Sequence, residues 1–292
     1  MKILYTSDVH GAIEVYFGVF SIAKWAKPDI IVFGGDMLTG GSYDSDRGEL
    51  AERQKKCFDL LLASFSMLKQ DVIFILGNDD LRVNEGYMAE MVKNTKNIHY
   101  LNKNYFQKDD FVFIGYPFVN PSPFTDKDFE KLDFESLQIP QRELPLDDPK
   151  AYYSMERESG YIYNDLKELF EKAPKNTKRI LIAHAPPYNT MLDIVFDRES
   201  KKVIHEGSVG VRKIIEEYKP YASLHGHLHE SHYISHTYVD TIGSTVSFNP
   251  GWAAEWMVNV ILLDTESKEY RYLGFVDERG GLHEKSNRGK IP

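Results

Sequence analysis

The sequence predicts an α/β fold, and three observations predict it. Short apolar runs alternate along the chain with segments of helical periodicity, the pattern of strands feeding helices. Five of the runs end in carboxylates, imidazoles, amides or glycines rather than in further apolar residues. At 292 residues and 42% hydrophobic content, the chain is long enough for one large core or two ordinary domains.

Taken in order, "KILYT" predicts the first strand and "DIIVFGG" the second. Between them "IEVYFGVFSIAKWAK" has helical spacing and stops before Pro28. A long helical segment from about Glu49 to Lys69 leads to a third strand, "DVIFILGN", and a short "NIHYLN" connection leads to a fourth, "FVFIGYP". From Pro117 to about Ser159 the pattern breaks. Pro117, Pro121, Pro123, Pro140, Pro145 and Pro149 stand there among acidic and aromatic residues, so the stretch reads as a surface excursion rather than core. Regular structure resumes with the helical "YIYNDLKELFEKA" and the buried strand "KRILIAH". "GSVGVRKIIEEYKP" opens on a Gly-Ser cap and closes at Pro220, and "YASLHGH" is a further strand. The segments "HYISHTYVDTIGSTVSF" and "WMVNVILLDTESKEYRYLGFV" alternate like antiparallel strands, with "ESK" as a turn. The tail after Asp277, from about residue 278, is Gly-rich and charged and reads as loose. The chain has no internal repeat or low-complexity tract.

Charge narrows the function classes. Thirty-five basic against 44 acidic residues give a net charge of −9, the wrong sign for holding long nucleic acid by phosphate neutralisation. A local basic face stays open, and so does the oligomeric state, a homodimer included. The single cysteine, Cys57, lies in the amphipathic "KKCFDLLLASFSMLK" and reads as a small buried hydrophobe. The opening "MKILYTSDVHG" lacks the apolar core and cleavage site of a signal peptide, and no run approaches the ~20 apolar residues that span a bilayer. A soluble, cytoplasmic protein without membrane contact is therefore expected.

The chemistry collects at the strand ends: "TSDVHG", "FGGDM", "LGNDD", "IAHAPP" and "LHGHLH". Open α/β sheets place ligands at the C-terminal ends of their strands. Asp8 and His10 alternate so that both can turn to one side, and Gly34 and Gly35 let the backbone approach at Asp36, a carboxylate able to bridge two cations. Oxygen and imidazole donors without thiolate suit Mn²⁺, Fe or Zn²⁺ and do not point to a structural zinc site. The glycine-rich "GGDMLTGG" lacks the Lys-Ser/Thr of a P-loop and is better explained as a metal-ligand turn.

The ordered set Asp-x-His, Gly-Asp, Gly-Asn, a lone His after a strand and Gly-His-x-His, over residues 8 to 229, resembles the calcineurin-like metallophosphoesterase superfamily. The later "FNPG" is similar to a turn that often follows in that family, and "HAPPYNTMLD", "HEGSVGVRKIIEEYKP" and "GHLHES" resemble a prokaryotic branch of small phosphoesterases. The resemblance implies a single domain over residues 1–292, a four-layer αββα sandwich of two mixed β-sheets flanked by helices, with residues 117–159 as a lid or rim. It implies two divalent ions, Mn²⁺ first and Fe or Zn²⁺ as alternatives. One would be held by Asp8, His10, Asp36 and His229, the other by Asp36, Asn78, His184 and His227. His225 then has a supporting or structural role, and His232 and His236 are strand-surface residues.

This sequence departs from the family at the third motif. "GNDD" puts Asp79 where the family often has a catalytic His, and a carboxylate beside two cations is a poor general acid. Good leaving groups, aryl or nucleoside oxygens, should then be favoured. His205 is the candidate substitute, because it precedes a helix whose first turn, at Gly207 and Ser208, offers N–H groups to a phosphate oxygen. The alternative is that Ser208 only caps the helix and His205 is a solvated loop residue. Asp193 is placed similarly, and the tyrosines of "DDPKAYYSMERESGYIY" are candidates for stacking over a substrate.

The expected function is two-metal hydrolysis of a small or nucleotide-type phosphodiester, with a metal-bridging hydroxide as nucleophile and Asn78, Asp79 and His205 as the catalytic candidates. The alternatives are a phosphomonoesterase, a nuclease, or a non-catalytic metal-binding scaffold of the same fold.

Overall fold

A computed structural model describes residues 1–41, 46–135, 143–144, 147–252, 258–274 and 288–291. Its first half alternates strands and helices: β1 (Lys2–Thr6), α1 (Ile13–Ala26), β2 (Ile30–Gly34), α2 (Arg47–Ser66), β3 (Asp71–Ile75), α3 (Glu85–Val92), β4 (Ile98–Tyr100), β5 (Asn104–Lys108) and β6 (Phe111–Tyr116). Of these, α3, β4 and β5 are additional to the elements the sequence predicts. The second half brings α4 (Ile162–Lys172), β7 (Lys178–Ala183), β8 (Ile194–Asp197), β9 (Lys202–His205), α5 (Val209–Tyr218) and β10 (Ala222–Leu224). It closes with α6 (Ser231–Ser235), β11 (Val239–Ile242), β12 (Thr245–Phe248), β13 (Asn259–Asp264), β14 (Glu269–Gly274) and β15 (Arg288–Lys290).

Two mixed sheets result. The seven-stranded sheet runs β15, β14, β13, β1, β2, β3, β4, and the six-stranded sheet runs β11, β12, β10, β7, β6, β5. In the first, β1 to β4 are parallel; in the second, β6, β7, β10 and β12 are parallel. The period-2 alternation of each strand sorts its residues into two separate cores. Ile3, Tyr5, Ile30, Val32, Ile73 and Ile75 face Phe113, Ile180, Ile182, Leu224 and Phe248 in one core between the sheets. The intervening residues, Leu4, Ile31, Phe33, Phe74, Ile114 and Leu181, point outward to the helices. There Phe65 of α2 stacks on Phe33 at 5.2 Å and Phe58 meets Phe74 at 5.8 Å. Each fully buried phenyl contributes ~1.5–3 kcal/mol. The outcome is the four-layer αββα sandwich. Among the described residues, no helix is long and apolar enough to cross a membrane.

Several local expectations are corrected. "NIHYLN" is not a bare connection, since β4 adds an edge strand there. The stretch after residue 193 folds as the β8–β9 hairpin, a separate two-stranded sheet. His232 and His236 belong to the short helix α6 and its left-handed cap rather than to a strand. Cross-strand partners for that stretch begin only at Val239. The excursion after Pro117 contributes to the core, because Phe118, Val119 and Phe129 are fully buried in the outer cluster. Arg47 clamps it through Asp126 at 2.9 Å, and the amide of Arg82 does so through Asp128. Pro140 and Pro145 lie outside the described residues. So does much of the tail expected to be loose, although β15 returns to pair with β14. Cys57 is buried, and burial pushes its thiol pKa up, as suits a packing residue.

Candidate metal centre

The ends of β1, β2, β3, β7 and β10 lead to Asp8, Asp36, Asn78, His184 and His227. Since these strands are parallel within each sheet, all five side chains arrive at one edge of the sandwich. The chain turns sharply there. Asp8, His10, Asp36 and His227 adopt positive φ, at 54°, 48°, 47° and 63°, a conformation that costs on the order of 1–3 kcal/mol for a non-glycine residue. Backbone hydrogen bonds between loops hold it: Asp8 N to Gly35 O at 3.1 Å, His10 N to Asp36 O at 2.8 Å, and Gly226 N to His184 O at 3.0 Å.

Two groups of donors meet at Asp36. Asp8, His10 and Asp36 offer ligand atoms that all lie within 4.8 Å of one another. On its other side, Asp36 Oδ2 is 3.2 Å from His184 Nε2, and Asn78 Oδ1 lies 3.2 Å from His184 Nε2 and 2.6 Å from His227 Nδ1. His184 donates Nδ1–H to Gly34 O at 2.8 Å, which fixes the ring so that Nε2 points toward Asp36. His229 stands beside the first group, its ring 6.1 Å from that of His10.

This donor set fits divalent cations. Asp8 Oδ2 and Ser7 Oγ are buried without a hydrogen-bond partner, an arrangement that costs energy unless something else answers them. The backbone also crowds the donors: a Cβ on Gly226 would meet Asp8 Oδ2 at 2.3 Å, and one on Gly77 would meet Asp36 Oδ1 at 2.3 Å and His184 Nε2 at 2.6 Å. Electrostatics mark the same spot. Burial opposes charge on Asp36, yet His184 beside it holds its carboxyl well below the usual range. Burial likewise opposes charge on His184, but Asp36 raises it to about 10. Burial, then His184, presses His227 down to about 3, so this imidazole is a neutral donor. A cation set between these groups would balance the same charges.

Asp79 sits inside the centre. Its Oδ1 accepts from Asn78 Nδ2 at 2.7 Å, its amide donates to Asp36 Oδ1 at 2.8 Å, and its Oδ2 is 3.5 Å from His10 Nδ1. Burial and then Asp36 push its pKa up to about 7. His205 is elsewhere: its Nδ1 is 2.8 Å from Asp193 Oδ1, and Tyr188 packs edge-on to its ring. Among the described residues it makes no hydrogen bond, ion pair or ring contact with the seven expected ligands. Asp193 is a structural hub whose carboxylate accepts the amides of Asn189, Thr190 and Gly207. The first turn of α5 follows the alternative in which Ser208 caps the helix, and it is not free for phosphate. The carboxylate of Asp133 takes Ser208 Oγ at 2.5 Å, Val209 N at 2.6 Å and Gly210 N at 3.0 Å, while Ser208 caps Val211 N.

The sequence reading missed several supports. Asp80, the last residue of "GNDD", is fully buried and accepts the amides of Met37, Leu38 and Gly77, tying the β2 loop to the β3 loop. Asn249 of "FNPG" donates to Gly226 O and Leu228 O, bracing the His227 turn. His225 was expected to support, and it does: fully buried, it donates Nδ1–H toward Ala183 O and Ala185 O. Phe124 packs edge-on to His227 at 5.9 Å, and Trp252 lies 5.7 Å from His229. No spacing rule links Phe124 or Trp252 to the motifs.

Phe124 also walls a cavity of about 730 Å³ beside the centre, together with Phe196, Leu228 and Glu230. Its loop rests on a fully buried pair, in which Lys127 Nζ bonds Glu130 Oε1 and Ser122 O, each at 2.8 Å.

The sequence profile of the calcineurin-like phosphoesterase family matches residues 1–231. The uncharacterized protein MJ1162 of Methanocaldococcus jannaschii is 39% identical over 127 residues, 41% of this chain and 50% of that protein. The match thus spans about half the length of that relative. The crystal structure of TT1561 of Thermus thermophilus superposes with a TM-score of 0.57 at 15% identity, covering 100% of this chain and 99% of the other, which establishes likeness of fold alone. Profile, fold and the candidate site at Asp8, His10 and Asp36 agree: the chain belongs to the calcineurin-like phosphoesterase family.

Proposed function

We propose that this chain is a two-metal phosphodiesterase acting on a small or nucleotide-type diester with a good leaving group. The observation that carries the reading is Asp36, which is shared between the Asp8–His10 group and the Asn78–His184–His227 group. Asp8, His10, Asp36 and His229 would hold one ion, and Asp36, Asn78, His184 and His227 the other. Such a pair lowers the pKa of water, holds phosphoryl oxygens and offsets charge as it moves to the leaving group. Mn²⁺ is the first choice for this mixture of carboxylate, amide and imidazole donors, with Fe or Zn²⁺ next.

The chain's own residues supply orientation. Asp79 accepts from Asn78 Nδ2, which fixes the amide so that Asn78 Oδ1 faces His184 and His227. That geometry supports Asp79 as a positioning residue, with no proton to donate once cations stand beside it. A site without a strong acid acts best on leaving groups that depart as anions, which supports diesters of aryl or nucleoside oxygens. His205 keeps a place as an outer candidate that approaches only with substrate, and Asp193 orients its ring. The cavity beside Phe124 is of a size to take the organic part of a small ester. The chain is read as a single cytoplasmic domain in which residues 117–159 form the rim.

Steady-state rates on an aryl phosphate diester and its monoester, with Mn²⁺ supplied, test the reading. A faster kcat/KM on the diester is expected; preference for the monoester makes the chain a phosphomonoesterase. Asp36→Asn should lower kcat/KM at least ~10³-fold and release bound metal, because it weakens both ion sites at once. Full activity in that variant, or a purified protein that binds no metal and turns nothing over, sinks the proposal.

A further inference from the structure

At the far end of the sandwich, the residue charges reverse. A cavity of about 470 Å³ is lined by Lys175, Lys178, Arg179, Lys219 and Lys268, with no carboxylate among its lining residues, on a chain whose net charge is −9. It lies where the start of β7, the end of α5 and the β13–β14 turn come together, so both sheets contribute to it. The six residues of β7 separate it from His184 by roughly 20 Å at ~3.3 Å per residue.

We propose that this cavity is a second ligand site, distinct from the metal centre, and that it takes a small molecule carrying two or more phosphate groups. Three observations argue against an ordinary solvated lysine face. Among the described residues, Lys175, Lys178, Arg179 and Lys219 form no salt bridge, and Glu171, which accepts from the Tyr218 hydroxyl at 3.4 Å, is not among the lining residues. Arg179 Nε is buried with no hydrogen-bond partner, while its guanidinium lies 5.7 Å above the Phe170 ring, which fixes it in place. Lys178 is similarly set, 5.3 Å above Phe111 and 5.8 Å above Tyr221. Held cations lose little freedom on binding, which makes them better anion ligands than free lysines. The carbonyl end of α5 opposes an anion, but with about half a unit charge against the four whole ones of Lys175, Lys178, Arg179 and Lys219. The rings of Tyr218 and Tyr221 line the same cavity and offer a surface for a base. The cavity volume falls in the range of sites for small molecules.

Isothermal titration with tripolyphosphate and with ATP, at low and moderate salt, tests the site. The comparison set is wild type, the triple variant K178A/K219A/K268A, the charge-matched control K56A/K69A/K93A in and just past α2 and α3, and D36N. Binding is expected in wild type, in the control and in D36N, weakening steeply with salt, and at least about tenfold weaker in the triple variant. Tighter binding of ATP than of tripolyphosphate assigns the tyrosines to a base; equal binding assigns the site to the phosphates alone. No binding at low salt, or binding that the triple variant leaves intact, overturns the proposal. Because D36N leaves this cavity untouched, a failed hydrolase reading and a failed distal site are told apart.

Discussion

His225 and His227 stand two residues apart, and burial presses both imidazoles below their usual range, to about 4 and about 3. Their surroundings separate their roles. His227 Nδ1 faces Asn78 in the centre, whereas His225 spends Nδ1 on two backbone carbonyls and has Ser223 Oγ at 2.9 Å from Nε2. A histidine with a depressed folded pKa adds stability above its unfolded pKa of ~6.5, and that stability is lost as pH falls toward about 4. His225 therefore contributes about 2 to 3 kcal/mol at pH 7 that is gone near pH 4.5. Urea melts of His225→Gln should show a stability deficit at pH 7 that shrinks by that amount at pH 4.5. An unchanged deficit at the two pH values would remove His225 as a source of acid sensitivity. Phe124 makes a residue-scale prediction of a different kind. Removing its ring with Phe124→Ala opens the cavity wall, so KM for an aryl diester should rise several-fold while kcat changes less.

Elements are fixed here by what their ends bind. The first turn of α5 reads in sequence as an anion site, and it is one, but its anion is Asp133 from the rim segment. A carboxylate that accepts two amides and a hydroxyl at a helix N-terminus is worth on the order of 1–3 kcal/mol. Asp133→Ala should lower unfolding free energy by that much, and no phosphate should bind in its stead at millimolar concentration. Thermal melts with and without phosphate check both halves. The same contact explains how residues after Pro117 pack although they lack helical or strand periodicity: they are held by side-chain hydrogen bonds and ion pairs, and by Phe118 and Phe129 in the outer core.

At the scale of the molecule, the centre is made by closure of the sandwich, since Asp8, Asp36 and Asn78 come from one sheet and His184 and His227 from the other. Cations gripping both sheets would bind the folded chain and not the unfolded one. Saturating Mn²⁺ at about 100 times its Kd should therefore add ~2.7 kcal/mol to unfolding free energy and raise Tm, and a chelator should reverse it. A Tm indifferent to Mn²⁺ and chelator would place the donors in a structural role only. The strained backbone at Asp8, His10, Asp36 and His227 belongs to this scale too, because hydrogen bonds between loops of different strands sustain it.

The strands and helices of the α/β frame were legible because burial imposes a period on sequence: "DIIVFGG" and "KRILIAH" must alternate faces, and α1 must stop before Pro28. The polar strand ends were legible for the same reason, since Asp8, Asp36 and His184 break apolar runs where packing alone would not place them. Partners far apart in sequence were not. Nothing local tells that Asp133 fills the α5 turn, that Asp80 clips two loops together, or that Phe124 lies on His227. The α6 turn and the β8–β9 hairpin were missed because polar segments carry little periodicity, and tertiary contacts chose among their conformations. Sequence by itself determined which residues seek the interior and which chemistry waits at the strand ends. The tertiary structure decided which of those groups meet, because hydrogen bonds and charge pairs act over a few ångströms in space and leave no spacing along the chain.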